Sequence, residues 1–413
     1  MVFIDVLGEL DLDGAFRMKQ HGVLFEALEL PCGVVLKNRI AKSAMSDSLG
    51  DGMGHPTAEQ IRLYERWAEG GLGTSIIGEV QASSSYAEKP GNLVLEGASD
   101  LSRFRGLAES GSKNGTQLWL QLGHAGALAY GPISDPKGPS PLDFPDLQCE
   151  GMSLDEIHQI PLDFAKTAKL ARKAGFGGVQ IHAAHGFLLS QFLSPLFNKR
   201  SDGYGGTIAN RMKLLLQSIE ATREAVGIDF PITVKLNSSD QLEGGLDEED
   251  ALQVVVALDA SSVDLVDISG GTYFPGAKAA SDSAGRGPYF IEFAKRARTM
   301  TSKPLMLTGG VKTRTQAEDA VRSGVVDVIG LARALVLEPG LPDLWMANQM
   351  PEPAFPRFPD APEGGITAWY TMRLTDIGSD KETDKVGDLS QAIREYETRD
   401  AKRTKMWLRH FES

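Results

Sequence analysis

The sequence predicts a single (β/α)8 barrel, and three observations carry that prediction. Short, nearly all-apolar runs recur eight times with helical stretches between them, the pattern of parallel strands buried on both faces. Small or glycine-containing junctions, as in AEGGLGTSIIGEV, KAGFGGVQIHAAH and RSGVVDVIGLAR, join helix to following run. The chain also holds 45 glycines in 413 residues, about 11%, where about 7% is usual. No low-complexity run absorbs this excess, so these junctions must, with glycine taking the left-handed position that ends each helix.

Taken in order, residues 1–35 form a lead-in expected to close the barrel floor. The eight runs are LKNRIAKSAM (36–45), TSIIGEV (74–80), QLWLQL (117–122), GVQIHA (178–183), ITVKLN (232–237), VDLVDIS (263–269), PLMLTG (304–309) and VDVIGL (326–331). Helices are expected near 57–70, 102–114, 154–174, 208–226, 247–260, 288–301 and 313–323. Phe164, Ala168, Ala171 and Ala174 share one face of the third, and Thr313 suits the N-cap of the last. Eight parallel units fit a closed barrel better than an open sheet. The barrel is assigned to 1–345 and a tail to 346–413. In the tail, prolines 351, 353, 356, 359 and 362 predict an extended stretch, and 388–411 reads as a charged helix packed on the barrel or on a neighbouring subunit, so a homo-oligomer is an open expectation.

Composition narrows the function. With 42 basic and 55 acidic side chains the net charge is −13, which repels phosphate backbones and argues against nucleic-acid binding. Two cysteines, Cys32 and Cys149, form neither a disulfide framework nor a four-thiolate site, as suits a reducing cytoplasm. Asp5, Glu9, Asp11 and Asp13 stand where a signal peptide would be basic and then apolar, and no stretch approaches membrane-spanning length, so a cytoplasmic protein without membrane association is expected.

In such barrels the reactive groups project from the carboxyl ends of the strands. Gly309 and Gly310 after the seventh run, with Arg333 after the eighth, suit a phosphate group, because glycine lets backbone N–H groups approach an anion. Lys235 lies inside an otherwise apolar strand. Facing the interior it needs an anion, such as the electron-rich edge of a flavin; facing the helices it could only snorkel. Together with the phosphate site it suggests FMN. His182 and His185, three apart in IHAAHGF, lack a third ligand for a metal and are read as two N–H donors aimed at one oxygen.

These residues belong to longer motifs. LKNRIAKSAM, IIGEV, LQLGHAG, GVQIHAAHGFLLSQFLSPLFNKRSDGYGGTIANR, the late GGV and IGLAR resemble, in that order over about 22–345, the old yellow enzyme family of FMN-dependent ene-reductases. The resemblance implies an NADH- or NADPH-reduced FMN that passes hydride to an activated alkene such as an enone or nitroalkene. By position it implies Ser43, Ala44 and Met45 beneath the flavin, Val80 beside it, Gln121 and Lys235 on its pyrimidine edge, and Gly309, Gly310, Ala332 and Arg333 at its phosphate. It makes His182 and His185 the carbonyl-binding pair, open also to phenols as mimics of a charged enolate.

The chain departs from the family at Phe187, where a Tyr usually protonates the α-carbon, at Ser46, where some relatives carry Cys, and at Ala127, where Arg is common. Water or another hydroxyl is expected to protonate that carbon instead, with Tyr273, after the sixth run, the first candidate unless it only packs. An alternative activity is quinone reduction, oxidation or demethylation, which needs no such donor. Relatives with an iron–sulfur cluster and a second nucleotide-binding region are set aside by the cysteine count and the short tail. A flavin-holding scaffold would not need the convergent donors. A phosphate-only aldolase or isomerase would lack the flavin features.

Overall fold

The computed structural model describes residues 22–144, 147–274, 287–349, 352–383 and 387–411. The acidic N-terminal stretch and Pro351 lie outside them. Eight parallel strands close into the expected barrel: β1 (Ile40–Lys42), β2 (Thr74–Gln81), β3 (Gln117–Gly123), β4 (Gly178–Ala183), β5 (Ile232–Asn237), β6 (Leu265–Ser269), β7 (Leu305–Thr308) and β8 (Val328–Leu331). Pairing of β1 with both β8 and β2, through Ile329↔Ile40 and Ala41↔Thr74, completes the ring. Every residue of β2, β4 and β5 is buried, since one face fills the barrel and the other meets helices.

The helices between them are α1 (Ala58–Glu69), α2 (Leu101–Gly111), α3 (Leu154–Ala174), α4 (Lys213–Val226), α5 (Glu248–Asp259), α6 (Ile291–Arg298) and α7 (Arg314–Arg322). Ser153 and Glu156 form a capping box on α3, and Thr313 with Gln316 forms one on α7, so the expected N-cap is present and reinforced. Phe164, Ala168, Ala171 and Ala174 are all buried on one face of α3. The junction glycines Gly71, Gly115, Gly175 and Gly324 have positive φ, but α5 ends at Ala260 in right-handed geometry and α6 at Thr299, so glycine does not end every helix. A short helix, α8 (Arg333–Leu337), follows β8.

Two departures from expectation concern the ends. The first run is not one strand from 36 to 45: Val35–Leu36 pairs with Leu28–Glu29 in a separate hairpin, and only Ile40–Lys42 joins the barrel. That hairpin closes the floor. Leu30 and Leu36 pack with Ile76, Trp119, Leu265, Met306 and Val328 inside the barrel, each leucine contributing about 2 kcal/mol by burial. Among the described residues of the tail there are two helices, α9 (Gly365–Gly378) and α10 (Leu389–Phe411), where one was expected. α9 packs on α1 and α10 on α9. The far end of α10 reaches the loops after β1 and β2: Arg403 Nη1 donates to Ser48 O at 2.5 Å, and Trp407 is buried with Ala87, Val94 and Ile133. Among the described residues no helix is long and apolar enough to cross a membrane.

Candidate active site

Parallel register places His182, Lys235 and Asp267 side by side on β4, β5 and β6, and Gln121 beside Gln180 on β3 and β4. Residues in register point the same way, so these polar side chains meet inside the barrel. Gln121 Nε2 donates to Gln180 Oε1 at 2.8 Å, and Gln180 Nε2 donates to Asp267 Oδ2 at 3.2 Å. Thr308 Oγ1 donates to Asp267 Oδ1 at 2.6 Å and bonds Ser43 Oγ at 2.8 Å. Gly330 makes room for this arrangement, because a Cβ there would stand 2.3 Å from Ser43 Oγ and 2.4 Å from Thr308 Oγ1.

Lys235 faces the interior, and its Nζ lies 2.5 Å from Asp267 Oδ2 with both side chains buried. This corrects one expectation: a carboxylate of the protein, and not a cofactor alone, supplies the counter-ion. Asp267 is the carboxylate paired with this ammonium among the described residues.

Above this layer, His182 Nε2 and His185 Nδ1 face each other at 3.2 Å. His185 has φ 61°, the left-handed region, and is tied down on three sides. Its N–H donates to Asn237 Oδ1 at 3.1 Å, its carbonyl accepts from Tyr273 N at 3.0 Å, and its Nε2 lies 2.8 Å from Ser269 Oγ. Strain held by several partners is a feature of functional sites. Burial, reinforced by Lys235, pushes the His185 pKa down to about 3; burial, His185 and Lys235 push His182 well below its ordinary value. Both imidazoles are therefore neutral at pH 7, and each carries one N–H.

Phe187 packs beside them, 4.7 Å from the His182 ring and 5.9 Å from the Tyr273 ring, centroid to centroid. Tyr273 is also 5.7 Å from the His185 ring. Its side chain is exposed, with 67% of its surface open. Its pKa is raised, by burial first and then by Glu88 and Glu79.

At the opposite side, Gly309 and Gly310 have φ of 122° and 81°, conformations open to glycine. A Cβ on Gly310 would stand 2.1 Å from Gly287 O, so backbone packs directly on this loop. Arg333 opens α8 after Ala332, sits 5.8 Å over the Tyr370 ring, and has no carboxylate partner among the described residues. A guanidinium without a carboxylate partner among the described residues, two glycines of positive φ and the buried Lys235 ammonium fit a phosphorylated flavin. Ala44 and Met45 are half-buried after β1, and Met45 backbone lies against Gly78. Ser43 turns its hydroxyl into the interior network, and Val80 is buried in the main core, paired with Leu93 and Leu122. The structure thus groups His182, His185 and Tyr273, and separately Gln121 with Lys235, while Val80 stays apart.

Sequence reasoning assigned no role to Asp267, Gln180 or Thr308. The signal was present for Asp267, an acid within the apolar run VDLVDIS on the strand after Lys235. No group of three or more His, Cys, Asp or Glu side chains poised for a metal occurs among the described residues.

The family model for the NADH:flavin oxidoreductase / NADH oxidase family matches residues 23–349. An NADH-dependent flavin oxidoreductase, iliE, of Hypocrea jecorina is 34% identical over 358 residues, covering 78% of this chain and 88% of its own. An NADPH dehydrogenase of Bacillus velezensis is 30% identical over 318 residues, covering 74% and 89%. Against other relatives, such as an NADH oxidase of Thermoanaerobacter brockii, the chain spans about half of their length, 48% in that case. The structure of an old yellow enzyme homologue from Zymomonas mobilis superposes with a TM-score of 0.69 at 23% identity, covering 81% of this chain and 97% of that one, and so shares its fold. The chain therefore belongs to the NADH:flavin oxidoreductase family of old yellow enzyme fold, NAD(P)H-dependent oxidoreductases whose cofactor is FMN.

Proposed function

We propose that this enzyme reduces activated alkenes, and that His182 and His185 hold the carbonyl or nitro oxygen of the substrate. The observation that carries the reading is the neutral pair His182 Nε2 and His185 Nδ1, 3.2 Å apart at the barrel mouth: one donates to the other there, and an oxygen inserted between them would accept from both rings once each carries its proton on that nitrogen. Two donors converging on one oxygen stabilise the negative charge that develops there when hydride arrives at the β-carbon. Neutral donors serve this better than charged ones: they impose no need for a counter-ion in a buried site.

FMN bound at this mouth would supply reversible hydride transfer between NADH or NADPH and the alkene. Gly309, Gly310, Ala332 and Arg333 would hold its phosphate, Gln121 and Lys235 its pyrimidine edge, and the segment Ser43–Met45 would lie beneath it. Asp267 holds the Lys235 side chain in place. Phe187 excludes water beside His182 but offers no proton. Tyr273, exposed and 5.7 Å from the His185 ring, would be the hydroxyl that protonates the α-carbon. The missing hydroxyl at Phe187 favours one second reading: quinone reduction, or oxidation of a substrate, where no carbon need be protonated.

Anaerobic mixing with NADH and NADPH, followed by a panel of enones, nitroalkenes and quinones, tests both. Rapid oxidation of the reduced enzyme by enones or nitroalkenes is the expected result. Reaction with quinones alone would support the second reading, and no bleaching by either nicotinamide would overturn both.

A further inference from the structure

Glu79 follows Gly78 in a bulge where β2 shifts register between Ile77 and Val80. Its φ is 58°, left-handed backbone that a side-chain-bearing residue adopts at a cost and that bulges use to re-aim a side chain. The side chain is aimed into the barrel mouth. Oε1 lies 3.6 Å from His182 Nδ1, and a Cβ added to Gly123 on β3 would stand 3.4 Å from Oε2. His182 Nδ1 and Glu79 Oε2 are both buried and without a hydrogen-bond partner among the described residues. No Lys or Arg pairs with Glu79 there either, while Glu88, with a buried unpartnered Oε2 of its own, adds negative charge. Burial first, then Glu88, raise the Glu79 pKa well above the carboxylate range.

His182 presents the matching problem. A neutral imidazole has one N–H, and only a proton on Nε2 faces His185 and the cavity. A charged Glu79 would draw that proton to Nδ1 and leave a lone pair facing the substrate oxygen. A neutral carboxyl does the reverse. We propose that Glu79 carries a proton and turns it towards His182 Nδ1, 3.6 Å from Oε1, which keeps the His182 proton on Nε2. Glu79 is thus a positioning residue. Ser269 Oγ, 2.8 Å from His185 Nε2, holds the second ring in place. The proposal rests on the reading of His182 and His185 as the oxygen-binding pair. The titratable groups that face the Glu79 carboxyl are His182 from β4, Glu88 from the segment after β2 and Tyr273 from the segment after β6, while His185, after β4, and Lys235, on β5, face the other side of His182.

The test uses the FMN-loaded enzyme with 15N-labelled histidine, the His182 signal being assigned by its loss in His182→Gln, and measures binding of 4-hydroxybenzaldehyde in parallel. The expected result is Nε2–H on His182 at pH 7, giving way to Nδ1–H at alkaline pH as Glu79 ionises. Glu79→Gln, close in shape and unable to ionise, should show no such change. Glu79→Leu should weaken the phenol about tenfold, the loss of one donor. Nδ1–H at pH 7, or an alkaline transition that persists in Glu79→Gln, overturns the proposal. These spectra decide the matter even if the leucine variant does not fold. Nε2–H on His182 without phenol binding would leave Glu79 its role and remove the donor-pair reading instead.

Discussion

Lys235 Nζ and Asp267 Oδ2 stand 2.5 Å apart on adjacent strands, with 1% and none of their side-chain surfaces exposed. Removing one member strands a buried charge. Asp267→Ala should lower stability by about 3–5 kcal/mol in urea unfolding, whereas Lys235→Met with Asp267→Leu should recover much of the loss. Both variants should lose flavin, measured by the FMN content of purified protein. Equal stability of the single and double variants would contradict this.

The histidines give the protein an acid sensitivity of defined sign. Burial lowers His124 and His185 from 6.5 to about 3, and lowers His182 further. The unfolded chain therefore binds protons that the folded one refuses, so stability falls as pH drops below 6.5 and continues to fall towards 3. Urea midpoints between pH 7 and 4 should decline accordingly, and His185→Asn should make the decline shallower by one proton. An unchanged slope would remove His185 from the account.

Gly310→Ala and Gly324→Ala separate backbone conformation from site geometry. Both have positive φ, 81° and 73°, so the backbone conformation alone should cost each substitution about 1 kcal/mol, with the clash at Gly310 adding to it. At Gly324 nothing lies within 4 Å of an added Cβ, while at Gly310 the Gly287 carbonyl lies 2.1 Å away. Only Gly310→Ala should weaken FMN binding, measured by fluorescence on release of the flavin.

Phe187→Tyr would place a hydroxyl next to His182. If Tyr273 supplies the proton, Tyr273→Phe should slow enone-driven oxidation of the reduced enzyme by about 100-fold, and Phe187→Tyr added to it should restore much of the rate. Stopped-flow traces in H2O and D2O measure this. An unchanged rate in Tyr273→Phe removes that residue from proton transfer.

What could be read in advance followed from local pattern. Seven strands lie within about two residues of expectation, because a run buried on both faces is apolar throughout. The first was read too long: Asn38, whose side chain donates to Gly71 O and accepts from Ile40 N, breaks the run and separates the floor hairpin from β1. Helix α9 was missed because it lies between α1 and α10 and buries residues around much of its circumference, leaving no stripe to recognise. Lys42 shows the same limit. It looks like a surface residue, but it points outward from the barrel under α1, donating to Ile76 O at 2.7 Å and Tyr64 Oη at 3.2 Å, and burial lowers its pKa to about 7. The His182–His185 spacing was legible. Their links to Glu79, Ser269 and Asn237 were not, since these join residues far apart in sequence that meet only when the barrel closes.

The hairpin at Leu28–Leu36 also governs traffic. With Leu30 and Leu36 seated against Trp119 and Met306, the barrel is stopped at one end, and reagents enter and leave through the other. Under the proposed chemistry, nicotinamide and alkene must then occupy the mouth in turn. Steady-state rates should give parallel double-reciprocal lines, with each reagent at high concentration shutting out the other.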